Sequence, residues 1–77
     1  MLKMKKMFDD NDRVIYIFSP EGSKQTVEIL LDKKTGKVET QKPKERMDNI
    51  YIGHAIFALK RMAKKNLFPD TKTVAWY

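Results

Sequence analysis

The sequence predicts a two-layer α+β domain, on the strength of three observations. Residues 48–66 carry the only sustained helical period in the chain. Three β-prone runs precede them, separated by turn-forming residues, and a fourth follows. The fold expected from this order is a three-stranded antiparallel meander with one main helix packed on the sheet and a short C-terminal strand. It occupies a single domain over 1–77, with residues 1–12 as a flexible N-terminal arm.

Residues 1–8 place Met1, Met4, Met7 and Phe8 at helical spacing, but eight residues are too few for an independent helix, so the segment reads as a loosely held terminus. Asp9, Asp10, Asn11 and Asp12 follow. Their spacing resembles the start of a calcium loop, but Val14 occupies the next ligand position and no Gly-then-Glu pattern completes it. The segment is therefore expected to be an acidic turn.

The first predicted strand, 13–19, is a continuous run of β-branched and aromatic residues, the composition of an interior strand covered on both faces. Pro20 and Gly22 suit a reversal. In 24–32, Val27, Ile29 and Leu31 alternate with Thr26, Glu28, Leu30 and Asp32, which predicts a strand with one buried face. Gly36 can take the left-handed conformation that closes a short hairpin, and 37–41 returns as a polar edge strand. Pro43 breaks regular structure in the connector, after which Asp48 or Asn49 can cap the helix.

Along the helix, Ile52, Ala55, Ile56, Leu59, Met62 and Ala63 form one apolar stripe, which predicts the face turned to the sheet. A second stripe is less ordinary. Ile50, His54, Phe57, Arg61 and Lys64 or Lys65 also recur at three- and four-residue steps, and a purely solvated face has no need of Ile50 and Phe57. Asn66 ends the helix, and 71–77 predicts a last strand docked on the sheet. A helix crossing one face can bring that strand beside 13–19 in a mixed sheet. The opposite face then lacks a cover, exposing Ile15, Ile17 and Leu30.

The chain has no cysteine, hence no disulfide framework or thiolate metal site, and no apolar run of membrane-spanning length. A cytoplasmic location is the expectation. His54 is the only histidine and lacks the partners of a catalytic or metal constellation. The sequence therefore singles out no catalytic, cofactor-binding or metal-ligating residue and implies no enzyme and no small-molecule substrate.

Two binding readings remain, in order. The first is protein–protein contact in a regulatory or accessory role, including self-association as a homodimer, through Ile50, Gly53, His54, Phe57 and Arg61. Interfaces set aromatic anchors beside arginine within a polar rim. Within the helix, Gly53 is either a tolerated defect or a place for close approach of another backbone. The second reading is nucleic-acid binding through Lys42, Lys44, Arg46, Lys60, Arg61, Lys64 and Lys65, suggested by the net charge of +6. It is weakened by composition: of 16 basic residues only Arg13, Arg46 and Arg61 are arginine, the residue favoured for bidentate phosphate and base contacts.

Overall fold

The computed structural model describes residues 1–76 and contains five strands and one helix. These are β1 (Leu2–Asp9), β2 (Arg13–Pro20), β3 (Val27–Asp32), β4 (Val38–Thr40), α1 (Asn49–Lys65) and β5 (Thr71–Val74). The strands form one sheet in the order β4-β3-β2-β1-β5, every neighbouring pair antiparallel. The helix packs on one face, so the α+β two-layer class is as the sequence predicts.

The main departure is β1. Residues 2–9, expected to be part of an arm, lie between β2 and β5. The reason is a period-two pattern masked by the helical spacing of the methionines. Leu2 and Met4 are fully buried under α1, whereas Lys3 and Lys5 point to the opposite face. A register irregularity between Lys6 and Phe8 then leaves Met7 outside the pairing, so the alternation breaks there. Inserting β1 also explains why the sheet is antiparallel throughout. The last strand does run parallel to β2, as a crossover requires, but β1 lies between them and opposes both.

β2 also departs from the expected two-sided cover. It is an interior strand, but only one face is covered. Val14, Tyr16 and Phe18 are buried beneath the helix, while Ile15, Ile17 and Ser19 on the other face are half-buried with no element over them among the described residues. β3 starts at Val27, later than predicted: Gln25 N–H donates to Ser23 Oγ at 3.1 Å in a local turn, and its side-chain Oε1 accepts from Glu45 N–H at 2.9 Å. β5 ends at Val74, and Tyr77, included in the predicted strand, lies outside the described residues.

Local chemistry sets the joints. Asp32 Oδ1 accepts from the N–H groups of Lys34 and Thr35, and Gly36, at φ +77°, takes the left-handed turn into β4. The Asp48 side chain caps α1 by accepting from Ile50 N–H at 3.1 Å. Asn66 closes it in the left-handed conformation, φ 52° and ψ 43°, with Leu67 N–H reaching back to the Met62 carbonyl. Ala55, Ala58, Leu59 and Met62 are the buried residues of α1, whereas Ile52, Ile56 and Ala63 sit half-buried at the margin. The buried face is thus rotated towards Ala58, which brings the second stripe to the β5 side.

Candidate functional site

That rotation creates an open groove of about 780 Å³ between the outer face of α1 and β5. Ile50, Gly53, His54, Phe57 and Arg61 all line it. They come together because residues three or four apart on a helix share a face. Phe57 is 61% exposed and Ile50 47%, so neither belongs to the core. The second stripe of the helix therefore stands outside the core, with Ile50 and Phe57 as its exposed apolar residues.

The facing wall is the free edge of the sheet. Lys6 N–H donates to the Asp70 carbonyl at 2.8 Å, which marks that position as a hydrogen-bonded pair of the β1–β5 ladder. Counting by twos along the register, Met4 with Lys72 and Leu2 with Val74 are bonded pairs as well. The backbone groups of Thr71 and Thr73 therefore point outward, away from β1, and no strand pairs with them among the described residues. Lys72 and Val74, sharing a face with Met4 and Leu2, turn their side chains to the helix side.

Both ends of the groove are built by residues the sequence reading did not assign to it. Trp76 stacks on His54, ring centroids 3.9 Å apart and planes 11° from parallel, and meets Tyr51 edge-on at 5.6 Å. The chain after β5 is thereby pinned to the N-terminal half of α1. Leu67 and Pro69 line the groove from the α1–β5 connection, with Leu67 67% exposed.

That connection is itself held firmly. Lys6 Nζ donates to the Phe68 carbonyl at 3.0 Å and pairs with Asp70 and Asp9. Tyr16 Oη donates to the Pro69 carbonyl, and the Lys33 ammonium sits 4.6 Å from the Phe68 ring centroid while bonding Asp9. Burial works against the Lys6 ammonium, but its contacts with Asp70 and Asp9 outweigh it and raise its pKa. The Lys33 hydrogen bond, opposed by burial and helped by Lys6, holds the Asp9 carboxyl below the usual range. Asp10 is likewise depressed, chiefly by the backbone N–H groups of Arg13 and Asp12. The acidic segment thus serves as a turn and an anchor for the start of β5.

Electrostatically the groove is one-sided. Among the described residues Arg61, Lys65 and Lys72 line it, no carboxylate side chain does, and none of the three makes an ion pair. Arg61 also lies 5.9 Å from the Phe57 ring centroid. The remaining nucleic-acid candidates are divided. Lys60 and Lys64 are exposed in the last turns of α1 beside Arg61 and Lys65, but Lys42, Lys44 and Arg46 precede its N-terminus. At about 1.5 Å per residue, the first residue of α1 and Lys60 are separated by roughly 16 Å, and Arg46 lies at the N-terminal end of that span, beside Asp48 and Asn49. Gly53 is exposed, and a Cβ placed there would meet nothing within 4 Å, so no close approach within the chain requires it.

Compared with protein-family models, with curated proteins and with solved structures, the chain matches none.

Proposed function

We propose that this chain is a small intracellular protein-binding module that takes an extended, acidic–apolar segment of a protein partner into the α1–β5 groove, in a regulatory or accessory role. The observation that carries this reading is the convergence in one groove of a sheet edge unpaired among the described residues, the exposed apolar residues Ile50 and Phe57, and the basic side chains Arg61, Lys65 and Lys72. An added strand satisfies the outward backbone groups of Thr71 and Thr73, and its alternate side chains lie against Phe57 and Ile50. Carboxylates on the segment meet Arg61, Lys65 and Lys72, giving a charge selection the apolar contacts lack. The absence of cysteine fits a cytoplasmic setting.

The test is selection from a random peptide library against the wild-type chain, followed by titration against two variants. Thr73→Pro removes the outward N–H without touching the β1 ladder, and Phe57→Glu puts a carboxylate in the groove. The selected peptides should alternate apolar with acidic residues and lose at least about tenfold in affinity against each variant. Peptides that bind wild type and both variants equally would rule the groove out.

A second reading rests on Lys60, Arg61, Lys64 and Lys65, four exposed cations on consecutive turns without ion pairs among the described residues. Phosphate contacts there would make DNA affinity fall with salt, with a slope of about 0.9 per contact. No binding near ~50 mM salt, where counterion release is strongest, would dismiss it.

A further inference from the structure

The sheet face opposite α1 has an order of its own. Directly paired residues share a face, so the register sets the exposed side chains in rows. One row runs Lys5, Ile17, Glu28 across β1, β2 and β3. The next runs Phe8, Ile15, Leu30, Glu39 across β1 to β4. The centre is apolar, with Ile15, Ile17 and Leu30 half-buried and Phe8 exposed. Lys3 and Lys5 stand on β1 and Glu28 and Glu39 on β3 and β4, while at one end of the face Arg13 on β2 pairs in register with Asp32 on β3 and holds its guanidinium 5.4 Å from the Phe8 ring centroid. Lys5 and Glu28 form no ion pair within the chain among the described residues, being two strand spacings, about 9–10 Å, apart.

β2 is the middle strand, which makes the row Lys5, Ile17, Glu28 self-complementary. Let two sheets face each other about a twofold axis running along β2, between the layers. The operation lays β1 of one copy over β3 of the other. Ile15, Ile17 and, at the end of β2, Arg13 meet their own counterparts on the axis, Phe8 lies over Leu30 of the second copy, and Lys5 lies over Glu28 of the second copy, twice by symmetry. Two sheets packed this way stand about 10 Å apart with strands nearly aligned, the ordinary geometry of a β-sandwich.

We infer that the open sheet face associates with a second copy of this chain, face to face about that axis, with reciprocal Lys5–Glu28 ion pairs fixing the register. This surface is separate from the α1–β5 groove, which stays open on the outside of the dimer.

The test is a charge exchange read by size-exclusion chromatography with light scattering. Wild type at high-micromolar concentration should show twice the 9.1 kDa chain mass. Lys5→Glu and Glu28→Lys each place like charges opposite one another at two symmetric sites, so each alone should weaken the dimer at least about tenfold. Mixed together, the two variants should form a heterodimer, because both exchanged contacts then join opposite charges. Carbodiimide treatment of unmodified protein should link Lys5 to Glu28 between copies. The proposal is overturned by a wild type that stays monomeric, by single variants that dimerise like wild type, by a mixture that does not associate, or by absence of that cross-link.

Discussion

Tyr16 gives the structure a defined alkaline limit. Its ring is fully buried at the centre of the helix-covered face, and its hydroxyl donates to the Pro69 carbonyl at the turn into β5. Burial first, then the charges of Asp9 and Asp70, push its pKa up to about 12 from an ordinary value of 10.0. The neutral phenol is therefore favoured in the folded chain. The stabilisation is fully present below the unfolded pKa, declines as the unfolded chain ionises first, and is gone once pH has passed the folded value. Two units at 1.36 kcal/mol each amount to about 2–3 kcal/mol lost across that window, a large part of the stability of a domain this small. Urea unfolding followed by far-ultraviolet circular dichroism, from neutral pH to the upper end of the window, measures the loss. Tyr16→Phe supplies the control: it should cost roughly 0.5–1.5 kcal/mol at neutral pH for the missing hydrogen bond and flatten the alkaline decline. If wild type and Tyr16→Phe lose stability in parallel across the window, the decline belongs to other groups and the reasoning about Tyr16 fails.

The helix offers a paired test of its two faces: Leu59→Ala should cost about 2–5 kcal/mol in equilibrium unfolding, whereas Phe57→Ala, at an exposed position, should stay within about 0.5 kcal/mol. Similar costs at both positions would contradict the orientation of α1. Gly53→Ala should stabilise the chain by about 0.5–1 kcal/mol, since the site has room for a Cβ and ordinary helical backbone; a destabilisation would show that something crowds it. Asp9 contributes stability that is present above the ordinary carboxyl pKa and lost as pH falls through its depressed folded value. Asp9→Asn should accordingly destabilise the chain at neutral pH and converge with wild type in acid, as read by thermal unfolding at a series of pH values.

Much of the fold was legible because local chemistry and global packing agree. The Asp48 cap, the Gly36 turn, the Asn66 terminus and the alternation of Val27, Ile29 and Leu31 each predict what they form. β1 was not legible for a physical reason. Four apolar residues at helical spacing overlie a two-residue alternation, and a bulge at Met7 truncates that alternation before it becomes persuasive. The error propagates, because without β1 the last strand has β2 as its only available neighbour. At the groove, the helical contribution was readable from the second stripe, where Ile50 and Phe57 have no reason to face water. The strand contribution was not. Which backbone groups of Thr71 and Thr73 point outward depends on pairing with β1, and the stacking of Trp76 on His54 joins residues 22 positions apart through tertiary structure alone. Lys72 carried no sequence signal beyond its charge; its place on the rim follows from sharing a face with Met4.

The open edge of β5 is the feature on which the functional account depends, and amide hydrogen exchange by NMR, without and with a saturating selected peptide, addresses it directly. In the free protein the N–H groups of Lys72 and Val74, bonded to β1, should be protected, and those of Thr71 and Thr73 should exchange rapidly. With peptide bound, Thr71 and Thr73 should become protected as well. A bound peptide that leaves both threonine amides exchanging at their free rates would contradict strand addition at β5.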